Sequence, residues 1–347
     1  MGAPIGIREA AASDEQDWNG FVSSRPEATP CHLAQWRATI EKSYRRRTRY
    51  LLAERDAAIV GILPLVEMTD LSGGRRAVSL PFLDQGGPLS VDEEARDALV
   101  QAALADGRAR RLEGLELRCE MPGNEVESPR RVRVVLRLPE TAEELWTRIG
   151  SKVRNLIRKA EKGGVRACEE APPAALIPFY RVFSRNMRDL GSPTHSRRWF
   201  SEIFRSFGPQ AKLFLSRDTD GKCVAGGVAV VFRDTMVVPW ASSLRSARPL
   251  CANYALYWEM LRQGVEHGVR SFDFGRSALG SGTLHFKKQW NGDVVPLHWS
   301  SLGPNGEPLA ERGLHPDRHR HLATLWSWLP LPAANWLGPM LRRRIPL

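Results

Sequence analysis

The stretch "AKLFLSRDTDGKCVAGGVAVVF", Ala211–Phe232, indicates the fold class because two apolar runs flank a short polar turn. Asp220-Gly221 in that turn is a strong signal for a β-hairpin, since such pairs tolerate the positive φ angles of tight turns. The same arrangement occurs in "YLLAERDAAIVGILPLVEM", residues 50–68. The sequence therefore predicts one β-hairpin in each half of the chain.

Each hairpin is followed by a further strand, a helix and another strand. The helix and its strand read "ALVQAALADGRARRLEGLELRC" in residues 98–119 and "ALYWEMLRQGVEHGVRSFDFGR" in residues 255–276. This order places Leu115-Glu116-Leu117 opposite Phe272-Asp273-Phe274 and predicts a duplicated α/β domain. Only the second copy continues into a glycine-rich extension, "FDFGRSALGSGTLHFKKQW", residues 272–290.

The segment between the copies, "RLPETAEELWTRIGSKVRNLIRKAEKGGV", predicts two helices. Thr141 and Glu144 have the spacing of a capping box, Ser151 is placed to cap the second helix, and Gly163-Gly164 is a helix stop. We place a domain boundary near residue 140. The predicted organisation is an N-terminal domain at 1–140, a C-terminal domain with the active centre at 141–325, and a tail rich in Trp, Pro and Arg at 326–347.

The composition is that of a basic globular protein, with 347 residues and a net charge of +11. This charge attracts phosphates of tRNA, of a nucleotide-linked substrate or of an anionic membrane, although an arginine-rich composition is the alternative reading. Five scattered cysteines without a Cys-x-x-Cys pair argue against a disulfide framework and a zinc site. No segment has the roughly 20 apolar residues of a membrane span, and a signal-peptide core is absent, so we expect a cytoplasmic protein.

Motifs spread over almost the whole chain carry a family resemblance: His32-x-x-x-Trp36, "GILPLVEM", "SLPFLDQGGPL", "KVRNLIRKAEKGGV", "FDFGRSALGSGTLHFKKQW" and "LPLPAANWLGP". The sequence resembles the Fem-type (FemA/FemB/FemX) peptidyltransferases, a branch of the GNAT acyltransferase superfamily. It looks most like the FemAB-like proteins encoded with exosortase/PEP-CTERM exopolysaccharide systems. The resemblance implies an α/β (α+β) fold of two tandem GNAT-like domains, each a mixed, mostly antiparallel sheet flanked by helices.

Fem enzymes transfer an aminoacyl group from charged tRNA to an amine of a peptidoglycan precursor. The resemblance therefore implies direct N-acyl transfer to an amine of a cell-envelope or exopolysaccharide precursor, without a covalent intermediate. The lysine of the family's Phe-Lys motif corresponds to Lys287, which is implied to stabilise charge in the active centre. No tightly bound cofactor is expected, and the acyl donor, a co-substrate, is aminoacyl-tRNA, acyl-CoA or acyl carrier protein.

Acyl transfer to an amine needs a route for the proton and donors aimed at the developing oxyanion. We predict Asp273 as a base or amine anchor, Arg276 and Lys287 as clamps for an oxyanion or phosphate, and His285 as a second proton carrier. Asp273 could instead be a structural carboxylate that orders the next turn, and His285 a packed or solvent-facing side chain. Three glycines are predicted to let the backbone approach a ligand or turn a corner: Gly275, Gly280 and Gly282.

Further substrate contacts are predicted in three groups. At the start of the helix before the glycine-rich extension they are Asn253 and Tyr254. On the basic helix they are Lys152, Arg154 and Arg158. The alternative for these three residues is a helix face that contacts only solvent. In the first copy, as acceptor contacts, they are His32, Trp36, Gly86 and Gly87.

Two other segments have readings of their own. The tail, with Trp326, Trp328 and Trp336 before terminal arginines, suits peripheral contact with the inner membrane face, and a strap packed over the domain is the alternative. "HPDRHRH", residues 315–321, looks like a metal-ligand set, but nothing in the sequence completes it and no metal is predicted.

Three functional hypotheses remain at this point, and the oligomeric state is open. The first is a Fem-like N-acyltransferase. The second is a GNAT N-acyltransferase that uses acyl-CoA or acyl carrier protein, although "VVPWASSLRSARPLCANYAL", residues 237–256, lacks the R/Q-x-x-G-x-G/A loop of an ordinary acetyl-CoA site. The third is a non-catalytic module that positions polysaccharide machinery.

Overall fold

The computed structural model describes residues 3–121, 130–310 and 316–346, without the side chains of residues 316–320. In chain order its strands are β1 (Gly6–Glu9), β2 (Thr48–Arg55), β3 (Ala58–Thr69), β4 (Arg75–Val78), β5 (Leu89–Ser90), β6 (Leu115–Leu117), β7 (Arg131–Arg137), β8 (Arg166–Glu169), β9 (Ala211–Arg217), β10 (Cys223–Phe232), β11 (Thr235–Ser243), β12 (Ser271–Ala278), β13 (Asp293–Leu297) and β14 (Ser300–Leu302). The α-helices are α1 (Glu15–Ser24), α2 (Gln35–Tyr44), α3 (Glu93–Ala109), α4 (Ala142–Arg148), α5 (Ser151–Lys162), α6 (Leu176–Asp189), α7 (Arg197–Phe207), α8 (Ala252–Glu266), α9 (Gly282–Lys288), α10 (Pro316–Ser327) and α11 (Leu331–Arg342).

The first compact unit comprises the described residues of 1–129, 297–313 and 341–347. Its seven-stranded sheet has the order β1-β2-β3-β4-β6-β14, and β5 pairs with β3. Strands β4 and β6 pair in parallel, and the other pairs of these described strands are antiparallel. The Asp92 side chain caps α3 by accepting a hydrogen bond from the Ala95 N–H, and α3 buries Leu99 and Leu104 in the core of this sheet.

The second compact unit comprises the described residues of 130–296 and 314–340. Its seven-stranded sheet has the order β13-β7-β12-β11-β10-β9-β8, in which β11 and β12 are parallel. Helix α8 packs on this sheet over Gly227 of β10, where an added Cβ would lie 2.5 Å from the Met260 Cε. Glycine at this position therefore allows close packing of helix and sheet.

The repeated plan expected from the sequence is confirmed. The hairpins β2–β3 and β9–β10 are antiparallel, and Gly221 turns the second with a φ of 76°. In each unit a helix then leads to a strand in a parallel pair, which places Glu116 beside Val78 and Asp273 beside Val237. The fold is thus mixed α/β, with two mostly antiparallel sheets flanked by helices.

The units differ from the expected division of the chain in two strands and in the tail, of which residues 326–340 belong to the second unit and the described part of 341–347 to the first. Strand β7, expected in a domain ending at residue 140, pairs with β12 in the second sheet. Strand β14, expected in the C-terminal domain, pairs with β6 in the first sheet. Both strands reach their sheets by pairing with residues distant in sequence, which local patterns do not reveal.

The helices between the copies largely follow the expected signals. The Thr141 Oγ1 accepts a hydrogen bond from the Glu144 N–H at 3.2 Å. The capping box is only half formed, because the Glu144 carboxylate pairs with Arg148 instead of reaching back. Gly150, rather than Ser151, occupies the N-cap position of α5, and Gly164 follows that helix with a φ of 76°.

Candidate active site

Strand β12 changes its pairing where the candidate residues lie. It pairs with β11 only through Ser271–Asp273. On its other side Asp273 pairs with Val135 and Arg276 with Arg133, so β12 has one residue more than β7 in this interval. This irregularity is a β-bulge at Phe274-Gly275, a feature that often re-aims side chains beside active sites.

Gly275 is required by the close approach of two strands. Its φ is 72°, and a Cβ there would lie 2.7 Å from the Val238 carbonyl oxygen. Gly280 also has a positive φ, 73°, but an added Cβ would meet no atom within 4 Å, so this glycine serves a turn. Gly282 has neither constraint.

The Asp273 carboxylate ties the bulge to β7. One oxygen accepts a hydrogen bond from the Gly275 N–H at 2.8 Å, and the other accepts one from the Arg133 Nη1 at 2.8 Å. The Asp273 side chain is 4% exposed and that of Arg133 is 25% exposed. This geometry supports the structural alternative for Asp273, while its role as a base stays a prediction.

The Lys287 ammonium lies buried at the same bulge. The Ser281 Oγ accepts a hydrogen bond from the Leu284 N–H and so caps α9, which buries Leu284 and Lys287 on one face. The Lys287 Nζ donates to the carbonyl oxygens of Gly275 at 2.7 Å and of Arg276 at 2.9 Å. A fixed positive charge therefore lies where the ladder between β11 and β12 has ended.

Two other polar residues of α9 face solvent. His285 and Lys288 are exposed, whereas Lys287 is buried. The structure thus brings Asp273, Gly275 and Lys287 together, with the main chain of Arg276, but it does not bring His285 to them. Arg133 joins the group although no local signal in the sequence marks it.

An aromatic cluster holds α9 against α8 and β12. The ring centroids lie 5.1 Å apart for Tyr254 and Phe286, and 5.3 Å apart for Tyr257 and Phe274. The Tyr254 hydroxyl donates to the Gln289 side chain at 2.9 Å, and burial raises the pKa of this tyrosine. Tyr254 therefore positions the helix that carries Lys287, and its neighbour Asn253 is half-buried.

A cleft of about 250 Å³ adjoins this group in the second unit. Its walls include Leu145, Ile149 and Trp290, with Arg148 and Asp293 among the polar residues that line it. Its lining residue Val135 is the ladder partner of Asp273, and the Trp290 N–H donates to the Lys287 carbonyl oxygen. Leu145, Ile149 and Trp290 are almost fully buried, and the exposed lining residues are all polar: Arg137, Arg148, Asn291 and Asp293.

The basic helix α5 divides its cations between two roles. The Arg154 Nη1 donates to the carbonyl oxygens of Trp146 and Thr147 at 3.1 Å and of Ile149 at 3.0 Å, so Arg154 caps the end of α4. By contrast, Lys152 and Arg158 are exposed. These two side chains, with the exposed Lys159 and Lys162, form the part of the helix that a phosphate could reach.

The predicted acceptor residues of the first unit lie in its interior. The Trp36 indole N–H donates to the Pro30 carbonyl oxygen at 2.8 Å, and the Thr29 N–H donates to the His32 Nδ1 at 3.1 Å. Gly87 is buried, and a Cβ there would lie 2.4 Å from the Cys119 Sγ, while Gly86 has a φ of 136°. These contacts stabilise the unit, and the acceptor role of the four residues stays a prediction.

Acidification is expected to weaken the fold through His32. Burial lowers the pKa of His32 from 6.5 to about 4, so below pH 6.5 the unfolded chain takes up a proton that the folded chain does not. The free energy of unfolding should fall by about 2 kcal/mol from pH 7.5 to pH 5 on this account. Urea unfolding of wild type and His32→Asn at both pH values tests this, because the variant lacks the titration. Equal losses in the two proteins would contradict it.

No group of three or more His, Cys, Asp or Glu able to hold a metal occurs within the ranges that the structure describes. The "HPDRHRH" motif lies outside the described side chains except for the exposed His321. The segment after β11, which lacks the acetyl-CoA loop signature, forms a 3₁₀ helix at Arg245–Leu250. Helix α8 then begins without a side-chain cap.

Comparisons with known proteins agree with this architecture. Residues 148–288, from the end of α4 to the end of α9, match the family model of the acetyltransferase (GNAT) domain. The aminoacyltransferase FemA of Staphylococcus epidermidis is 28% identical over 69 residues, which is 18% of this chain and 16% of FemA. The crystal structure of FemX is similar with a TM-score of 0.66 at 14% identity, covering 85% of this chain and 96% of that chain.

A tandem GNAT protein from the clavulanic acid biosynthesis pathway is also similar, with a TM-score of 0.52 at 12% identity over 87% of this chain and 99% of that chain. At these identities the solved structures show the fold, which is that of tandem GNAT proteins. The domain match and the short FemA match support a Fem-like GNAT family of acyltransferases.

Proposed function

We propose that this protein is a Fem-like N-acyltransferase that transfers an aminoacyl or acyl group directly to an amine of a cell-envelope or exopolysaccharide precursor in the cytoplasm. The observation that carries the proposal is the buried Lys287 ammonium at the β12 bulge, inside the segment that matches the GNAT domain. The short match to an aminoacyltransferase favours aminoacyl-tRNA as the donor. The sequence motifs favour the branch encoded with exosortase/PEP-CTERM systems.

In the proposed reaction the amine nitrogen attacks the acyl carbon, and the bond from that carbon to the tRNA ribose oxygen breaks. The departing oxygen takes up the proton that the amine gives up, so no covalent enzyme intermediate forms. The Lys287 charge stabilises the oxyanion that develops on the acyl group. Asp273 is assigned to positioning, because both of its carboxylate oxygens accept hydrogen bonds from the protein.

The cleft beside β7 is proposed to hold part of the acceptor. Its exposed lining residues include Arg137 and Arg148, which can pair with a phosphate of a nucleotide-linked or lipid-linked precursor. The pairing of Val135 with Asp273 supports a binding region next to the proposed reaction centre. The acceptor amine would then be held against the acyl carbon.

Donor retention tests the proposal. Purified protein is mixed with three radiolabelled pools, aminoacyl-tRNAs, acyl-CoAs and acyl carrier protein, and the wild type is compared with Lys287→Ala and with the exposed neighbour Lys288→Ala. Saturable retention of aminoacyl-tRNA, followed by transfer to an amine that Lys287→Ala loses and Lys288→Ala keeps, is the expected result. Retention of acyl-CoA or acyl carrier protein alone would contradict aminoacyl-tRNA as the donor and identify the retained molecule as the donor. Retention of no pool would favour the non-catalytic module.

Salt is expected to weaken tRNA binding through the exposed cations of α5. If three of them contact phosphates, raising the salt fourfold should lower the affinity about 20-fold by release of counterions. The triple variant Lys152→Ala/Arg158→Ala/Lys159→Ala should flatten this dependence. A matched variant that removes three exposed arginines elsewhere, Arg181→Ala/Arg197→Ala/Arg205→Ala, should keep it. Equal salt dependence in both variants would contradict the assignment.

A further inference from the structure

Helices α10 and α11 pack on the second unit through small residues. A Cβ built on Gly191 would come within 2.5 Å of the Ala323 Cβ of α10. On α11, Ala334 and Gly338 are buried, and a Cβ on Gly338 would come within 3.0 Å of the Thr194 backbone nitrogen. Both helices therefore approach the unit closely along a face of small side chains.

Several bulky apolar side chains of this region are exposed and directed away from the packed face. Trp336 lies two positions from both Ala334 and Gly338, and two steps of about 100° place it on the opposite side of α11. Five residues, which we call the outer face, have exposed fractions of 49% for Leu322, 57% for Leu325, 75% for Trp328, 66% for Trp336 and 43% for Met340. A helix on a globular protein normally buries such residues, so this exposure marks an interaction surface.

We propose that the outer face binds the surface of a membrane that contains anionic phospholipid. Two of its five residues are tryptophans, which concentrate at membrane interfaces because the indole ring is apolar and carries an N–H donor. The chain has a net charge of +11, and the exposed Arg343 follows the last residue of α11. Each such cation near an anionic surface strengthens binding.

Cationic side chains also border the turn between the two helices. The Arg188 Nη1 donates to the Leu329 carbonyl oxygen at 3.0 Å, beside Trp328, while its Nε pairs with the Asp189 carboxylate at 2.7 Å. The exposed Arg245 donates to the Asp189 carbonyl oxygen at 2.7 Å, next to Arg188 in sequence. Apolar residues flanked by arginines complement an anionic lipid surface in both hydrophobicity and charge.

The lengths of the helices indicate shallow binding. Both α10 and α11 have 12 residues, and such a helix is about 18 Å long, against about 30 Å for the hydrocarbon core of a bilayer. In the part of the chain that the structure describes, no helix is long and apolar enough to cross a membrane. The outer face shares no residue with the Asp273 and Lys287 group, so the inference holds for any acyl donor.

Vesicle flotation of the full chain tests the inference. Wild type is expected to float with vesicles of phosphatidylcholine containing about 30% phosphatidylglycerol, and to bind vesicles of phosphatidylcholine alone about tenfold more weakly. Trp328→Ser/Trp336→Ser should lower binding to the anionic vesicles about 10-fold or more, because two large apolar side chains no longer enter the interface. Leu71→Ser/Val91→Ser is the matched control, since these residues are exposed elsewhere at 56% and 41%, and it should bind as wild type does.

Each other outcome would overturn the inference. Wild type that floats with neither vesicle type does not bind these lipids. Equal binding by both double variants would show that the outer face is not the contact. A wild-type dimer in sedimentation that becomes a monomer in Trp328→Ser/Trp336→Ser, without vesicle binding, would assign the face to a second copy. Unchanged thermal unfolding of the variants confirms that they fold.

Discussion

Replacing Lys287 with methionine is expected to lower the rate of acyl transfer about 100-fold, because one preorganised charge at the developing oxyanion is worth about that much. Methionine keeps most of the side-chain length but lacks the ammonium that donates to the Gly275 and Arg276 carbonyl oxygens. The measurement is a single-turnover rate with the donor pool that the wild type retains. Donor affinity should change little, since the loss concerns the transition state.

Lys288→Met is the matched control for this experiment. Lys288 is the next residue in sequence, but its side chain is exposed and does not share the buried position of Lys287. It should transfer at the wild-type rate. A Lys287→Met protein as fast as wild type would remove Lys287 from the mechanism. A loss explained entirely by unfolding, as judged from circular dichroism at the assay temperature, would assign Lys287 to structure alone.

Asp273→Asn is expected to lower the free energy of unfolding by about 4 kcal/mol, because it breaks a largely buried ion pair and leaves the Arg133 charge without its carboxylate. In the variant, the Gly275 N–H donates to a neutral amide oxygen instead of a charged carboxylate oxygen, which weakens the hydrogen bond that holds the bulge. Urea unfolding measures the loss. Glu266→Gln, which removes one carboxylate of an exposed pair with Arg262, is the matched control and should cost less than about 1 kcal/mol.

A double-variant cycle separates the two roles of Asp273. If the carboxylate positions the bulge through Arg133, Asp273→Asn/Arg133→Gln should be more stable than the sum of the two single changes, by about 2 kcal/mol. If Asp273 were the base, Asp273→Asn would abolish transfer while the midpoint of urea unfolding stayed at the wild-type value. That result would reverse the assignment made here.

Local signals predicted the elements of the fold because their causes are local. Residues close in sequence determine the Asp220-Gly221 turn and the end of α5 before Gly163. They also determine that Glu116 and Asp273 occupy equivalent strands of the two repeated units. The Ser151 cap was wrong by one position, since Gly150 occupies that place. Caps depend on the φ and ψ angles of a single residue, and the pattern of residue types does not specify these to one position.

The candidate site was predicted only in part. The glycine-rich extension pointed to Asp273, Gly275 and Lys287, which the structure brings together. It also pointed to His285, which lies two residues from Lys287 and is therefore turned outward by the helical repeat. Arg133 was missed, because its contact with Asp273 depends on the register of two strands that are 140 residues apart.

By itself, the sequence determined the class of fold, the repeated order of its elements and the glycine turn of the second hairpin, since periodicity, turn residues and backbone freedom are properties of short segments. Only the tertiary structure decided which sheets receive β7 and β14, which of the three glycines the bulge requires, that both Asp273 carboxylate oxygens accept hydrogen bonds, and that Trp328 and Trp336 are exposed. These features depend on pairing and burial between residues distant in the chain. Which strand pairs at a sheet edge, and which side chains a helix buries, is decided by the other elements of the fold and not by local sequence patterns.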